Sequence, residues 1–246
     1  MSINDGIKVT DKNFISILMI GQSNMAGRGE LKDVEPIKNP DCYMLRMGRW
    51  QPMSEPINVD RAISGIKYCS GVSLAASFAD ELTNFSKKKV GLIPCADGGT
   101  ASREWLPGES LFDHALMQAQ LAKRISDFGG IIWHQGEDDW DTDPKVYKER
   151  LKLIMTTLRR ELGRENAPVI LGELSDKISD DFPFVNVSKI LNPVLYELEK
   201  ELPFCRVASA KDLELKPDGV HFNSASLRIF GKRYFEKYKE IVEGQK

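Results

Sequence analysis

A hydroxyl, an imidazole and a carboxylate occur in this chain in settings where each could take part in acyl transfer. Ser23 lies within Gly21-Gln22-Ser23-Asn24-Met25-Ala26-Gly27, a run of small and polar residues after an apolar segment, and is a candidate nucleophile. A serine after a strand can equally be the N-cap of the helix that follows. Asp218 and His221 stand three residues apart in Lys216-Pro217-Asp218-Gly219-Val220-His221-Phe222-Asn223. At that spacing the carboxylate can hold the ring by Nδ1–H and leave Nε2 to take a hydroxyl proton. A plain turn at Asp218-Gly219 beside a partly buried ring is the blander alternative. Because the chain has 3 histidines (His114, His134, His221), few residues can serve as this base.

Two further loops carry polar groups. The paired glycines of Asp97-Gly98-Gly99-Thr100 let backbone N–H groups approach a ligand with no Cβ in the way, as an oxyanion hole requires, although Gly-Gly alone is also an ordinary turn. In His134-Gln135-Gly136-Glu137 the Gln135 amide can donate two N–H bonds. Other chemistries fail on specifics. The first loop lacks the lysine of a phosphate-binding loop, and Gly21, Gly27 and Gly29 do not fit the dinucleotide fingerprint. The acidic run Glu137, Asp138, Asp139, Asp141 and Asp143 does not match a calcium loop and reads as mostly solvated and helix-capping. No histidine or cysteine spacing fits zinc.

The elements that must position these loops are legible in the hydrophobic pattern. Strand-length apolar runs occur at Ile15 to Ile20, Val90 to Cys95, Gly130 to Trp133, Val169 to Leu171 and Arg206 to Ala208. Between the later ones lies a helix predicted from Pro144 to Leu162, with Tyr147, Leu151, Ile154, Leu158 and Leu162 on one stripe, Asp143 as N-cap and Gly163 as terminator. Leu227, Phe230, Tyr234, Tyr238 and Ile241 mark the last helix. Continuous apolar strands separated by helices predict an α/β fold with a parallel sheet covered on both faces. Ligands of such sheets bind at the carboxyl ends of the strands, where the polar loops fall. The stretch from Gly29 to Gly71, broken by Pro36, Pro40, Pro52 and Pro56, is expected to be a long excursion with one short strand at Tyr43 to Met47.

Composition excludes whole classes of function. The chain has 246 residues, 34 Lys+Arg against 36 Asp+Glu and 41% hydrophobic residues, which describes one larger globular domain spanning residues 1–246. No basic excess favours nucleic acid; Lys87-Lys88-Lys89 reads as a solvated turn before a strand. No apolar run reaches the roughly 18 residues of a membrane helix, and the first twelve residues lack a secretory layout, so the expected location is cytoplasmic. Cys42, Cys69, Cys95 and Cys205 are expected to be reduced, buried thiols.

Taken in order, GQSNMAG, PCADGGT, WHQGE and DGVH cover nearly the whole chain. This pattern resembles the SGNH/GDSL hydrolase superfamily and, within it, carbohydrate esterase family 6, the sialate O-acetylesterase and acetylxylan esterase-like proteins. The resemblance implies a three-layer α/β/α sandwich with a flavodoxin-like parallel sheet, and hydrolysis of O-acetyl esters of carbohydrates with no metal or organic cofactor. It implies Ser23 as nucleophile, Asp218 and His221 as the other triad members, and Gly99 N–H, the Gln135 amide and the Ser23 N–H as oxyanion donors. Arg103 and Glu137 are candidate contacts to an acetylated sugar, with Trp105 and Trp140 nearby. Asp97 and Asp138 depart from the family's usual residues beside the site. An α/β-hydrolase is excluded because Met25 stands where its G-x-S-x-G motif needs glycine. The rival expectations are a binding protein without turnover on the same fold, and an esterase for longer acyl chains.

Overall fold

The computed structural model describes residues 11–58 and 70–244. Seven strands form one sheet in the order β3-β2-β4-β1-β5-β6-β7: β1 Asp11–Gly21, β2 Cys42–Arg46, β3 Arg49–Pro52, β4 Lys89–Pro94, β5 Ser126–His134, β6 Val169–Gly172 and β7 Cys205–Ala208. All neighbours pair in parallel except β2 with β3. Setting that hairpin aside, the five remaining strands run 2-1-3-4-5 in chain order, the flavodoxin-like arrangement, with the switch point between β1 and β5. All five strand segments expected from the sequence lie in this sheet.

Both faces of β1 are buried, as a central parallel strand requires. Ile17 and Met19 pack with the layer containing α2 (Leu74–Ser86) and α6 (Ser224–Gly244). Leu18 and Ile20 pack on the opposite layer, formed by α3 (Ser110–Ala122), α4 (Pro144–Glu161) and α5 (Val187–Glu201). The sandwich therefore has three layers. Asp143 caps α4 by accepting from the N–H of Lys145 (2.8 Å) and Val146 (3.4 Å), Pro144 takes the first turn, and Gly163 follows the end at φ 60. Leu227, Phe230, Tyr234, Tyr238 and Ile241 are the buried stripe of α6.

The Gly29–Gly71 excursion contains more structure than expected. β2 returns through a turn at Met47 (φ 50) and Gly48 (φ 73) into β3, so the expected Tyr43–Met47 strand is shifted by one residue and paired. β3 lies at the sheet edge, where the N–H that Pro52 lacks is not needed. Residues 59–69, including Cys69, lie outside the described residues. Cys42, Cys95 and Cys205 are buried. Burial pushes the Cys42 thiol up to about 11 and the Cys205 thiol up to about 12, which leaves neither as a nucleophile near neutrality. Among the described residues no helix is long and apolar enough to cross a membrane.

Candidate active site

The four polar loops meet beyond the carboxyl ends of β1 and β5. β1 stops at Gly21, whose φ of 128 and close approach admit no side chain: a Cβ there would sit 2.1 Å from the His134 carbonyl oxygen. The chain then bonds across the switch point, Gln22 N–H to His134 O at 2.9 Å, and turns through one helical turn, α1 (Ser23–Ala26). The N-cap position is Gln22, with no side-chain cap bond. Ser23 is therefore the first helical residue rather than the cap, and its hydroxyl has a different partner.

That partner is His221, whose Nε2 lies 3.0 Å from Ser23 Oγ. On the other side of the ring, Nδ1 is 3.0 Å from Asp218 Oδ2. Asp218 Oδ1 accepts from the N–H of Val220 (3.0 Å) and His221 (2.9 Å), so one carboxylate shapes the turn and orients the ring. Partial burial raises the Asp218 pKa, but these N–H groups and the imidazole outweigh it and hold the carboxyl below the usual range. Nδ1–H bonded to a carboxylate presents an unprotonated Nε2 to the serine, an arrangement able to remove a hydroxyl proton.

The glycine pair lies against the nucleophile, with the two glycines differing in what they do. A Cβ on Gly98 would come within 2.6 Å of Arg28 Nη2, the end of a flexible side chain, and at ordinary contact distance, 3.6 Å, from Ser23 Cβ, so this loop passes directly beside the serine. Gly99, at φ 69, has open space where its side chain would be. Among the described residues neither the Ser23 nor the Gly99 N–H has a backbone acceptor. The closeness of Gly98 and Arg28 had no signal in the motif spacing.

Gln135 departs from its expected role as an oxyanion donor. Its side chain is fully buried, and Nε2 donates to Thr100 O at 3.0 Å and Asp139 Oδ2 at 2.7 Å. Both amide hydrogens are thus spent on bracing the glycine loop. Asp139 extends the brace, accepting from Ser102 N–H (2.5 Å), Ser102 Oγ (2.6 Å) and Thr142 Oγ1 (3.0 Å). We expect Gln135→Ala to lower stability by about 1–3 kcal/mol while folded enzyme keeps kcat within a few-fold. Paired melting and turnover measurements check this; a kcat loss of ~10² to 10³ at unchanged Tm would restore the oxyanion role.

Glu137 is likewise not a sugar contact. It is 4% exposed, and its oxygens accept from Gln22 Nε2 and Asn24 Nδ2, each at 2.7 Å, with His134 Nε2 3.6 Å from Oε1. Burial opposes its charge, but His134 and the Asn24 amide hold the carboxyl below the usual range. The acidic run is therefore divided: Glu137 and Asp139 are buried and fully bonded, and Asp143 is the helix cap. Asp138, half-buried beside Glu137, Asp139 and Glu104, is pushed up to about 6, chiefly by burial. Trp105 is buried and donates to Thr100 Oγ1, which leaves Arg103 and Trp140 as the exposed members of the expected sugar-contact set.

Residues 13–240 match the family described as carbohydrate esterase, sialic acid-specific acetylesterase. A probable carbohydrate esterase of Arabidopsis thaliana is 28% identical over 248 residues, covering 90% of this chain and 88% of that protein. The X-ray structure of an Arabidopsis thaliana protein superposes with a TM-score of 0.79 at 25% identity, covering 94% of this chain and 99% of that one. NanS superposes at 0.72 with 17% identity over 96% and 100% of the two chains. A carbohydrate acetylesterase from Xanthomonas citri superposes at 0.62 with 19% identity over 94% of this chain and 56% of that one. At these identities the last two likenesses are likenesses of fold.

Proposed function

Because this chain belongs to the carbohydrate esterase family described as sialic acid-specific acetylesterases, and is on that ground a carboxylic ester hydrolase, we propose that it removes O-acetyl groups from sugars through Ser23, His221 and Asp218. The observation that carries the mechanism is the alignment of Ser23 Oγ, both nitrogens of the His221 ring and Asp218 Oδ2 at successive distances of 3.0 Å. His221 takes the serine proton as Oγ attacks the acetyl carbonyl, then returns it to the departing sugar oxygen as the C–O bond breaks. Water, deprotonated by the same nitrogen, attacks the acetyl-serine and releases acetate with Ser23 regenerated. Negative charge on the carbonyl oxygen is met by the Ser23 and Gly99 N–H groups, each such donor contributing ~3 to 4 kcal/mol.

The substrate class proposed is an O-acetylated sialic acid or xylo-oligosaccharide, with Arg103 at the sugar side of the site. Acetate release across a panel of O-acetylated saccharides, run beside p-nitrophenyl acetate, butyrate and octanoate, tests the reading. We expect acetyl esters to be turned over fastest and at least one acetylated sugar to be hydrolysed. Faster octanoate turnover would assign the chain to longer acyl esters instead, and saturable sugar binding without acetate release would make it a binding protein.

A further inference from the structure

We infer that Lys216 is a positioning residue that straps the base loop to the stretch following the nucleophile turn, a role that rests on the reading of Ser23 and His221 given above. These two residues are 198 apart in the chain, so the distance between them is set by what ties their loops together. The base loop is a closed unit. Lys216 N–H donates to His221 O at 2.7 Å, Asn223 N–H to Glu214 O at 3.0 Å and Gly219 N–H to Lys216 O at 2.9 Å. Asp218 and His221 are therefore carried by the backbone of Lys216. Its side chain crosses to the stretch after the nucleophile turn, where Nζ donates to Arg28 O and to Glu30 Oε1, both at 2.9 Å.

The stretch that Lys216 reaches is itself anchored. Gly29 N–H donates to Val72 O at 3.3 Å, Val72 N–H returns to Gly29 O at 2.8 Å, and Glu30 O accepts from Ser224 Oγ at 2.8 Å. The base loop is also held from elsewhere. Ser179 N–H, in the loop after β6, donates to Gly219 O at 2.9 Å, and β6 is two strands removed from β1. At the inner end of the base loop Asn24 Oδ1 accepts from Phe222 N–H at 3.1 Å. Lys216 fixes the outer end, so the turn bearing Asp218 and His221 cannot pivot about that inner bond toward Ser179. Charge alone does not account for the lysine. Nζ is 3.9 Å from Asp218 Oδ2, beyond hydrogen-bond reach. Burial opposes the Asp218 charge, and what outweighs it is the N–H groups of His221 and Val220 and the imidazole. The ammonium spends its donors on Arg28 and Glu30 instead, and its bond to Glu30 holds that carboxyl below the usual range.

The test compares the parent chain with Lys216→Met, which keeps most of the apolar stem and removes the donors, and with Lys216→Arg, which restores donors and charge. Its readouts are the rate at which a fluorophosphonate labels Ser23, kcat and KM for p-nitrophenyl acetate, and the melting temperature. A misplacement near 1 Å costs about 10² in rate, and the Asn24–Phe222 bond left in place limits the swing. Lys216→Met should therefore lower labelling and kcat by about tenfold, with KM within a few-fold and the protein still folded. Lys216→Arg should recover both rates to within a few-fold of the parent. Parental labelling and kcat in folded Lys216→Met overturn the proposal, as does a loss confined to KM, or a Lys216→Arg protein as slow as Lys216→Met. If Lys216→Met does not fold, Lys216→Gln, whose amide ends one bond short of the lysine nitrogen, is held to the same expectations. A parent chain whose Ser23 is not labelled would instead overturn the esterase reading, and this inference with it.

Discussion

Ser23→Ala loses ester hydrolysis by about 10⁶-fold in kcat, the scale seen when a triad nucleophile is removed, and no longer reacts with a fluorophosphonate. The size of the effect follows from the site's economy. Neither Cys42 nor Cys205 offers a substitute nucleophile near neutrality, since burial holds both thiols protonated. A second serine, Ser102, has its hydroxyl committed to Asp139 at 2.6 Å. Peptide mapping of the labelled parent checks the assignment: an adduct at Ser70, Ser102 or Ser224, or a folded Ser23→Ala protein with parental turnover, would remove the mechanism.

Asparagine at position 218 is expected to lower kcat by ~10⁴. Asp218 Oδ1 is occupied by the N–H of Val220 and His221. An amide placed there keeps its oxygen on those donors and turns its NH2 toward the ring. His221 Nδ1 must then accept, its hydrogen moves to Nε2, and the nitrogen facing Ser23 has no lone pair for the serine proton. Asp218→Ala leaves the tautomer free and should cost less. Because the native carboxyl is held below the usual range, its charge persists as pH falls through values where ordinary aspartates protonate. Steady-state rates for the two variants settle the point: parental kcat in Asp218→Asn, or alanine slower than asparagine, would show that the carboxylate does not fix the tautomer.

What could be read in the sequence was set by how local its cause is. Ser23, Asp218 and His221 were legible because each sits in a short loop whose glycines and polar residues have no role in a core. The α4 helix was legible from Asp143 to Gly163 because cap, first-turn proline and terminator are all local signals. The α5 helix was not, since Pro193 lies inside it and breaks the pattern. The β3 strand escaped for a related reason: Pro52 suits an edge, and only the pairing with Tyr43 reveals that an edge is what it occupies. Gln135 and Glu137 were placed at the right end of the sheet with the wrong partners. Sequence order puts an amide and a carboxylate in one loop but does not say which way each faces. Here the turn at Glu137–Asp139 directs Glu137 beneath the serine, to Gln22 and Asn24. Gln135 is directed to Thr100 and Asp139.

The central place of β1 bears on how the chain is made. Among the described strands β1 is the first to be synthesised, yet its neighbours are Lys89–Pro94 on one side and Ser126–His134 on the other. Until the second of these has left the ribosome, Ile17, Leu18, Met19 and Ile20, all fully buried at the end, belong to a strand with at least one open edge. A nascent chain passes through that stage on its way to every folded molecule, and its loops must close over long separations before the strand is covered. The hazard of aggregation is therefore concentrated in the incomplete chain. Codon usage and chaperone supply during production act on that interval, before β1 is sealed between its two partners.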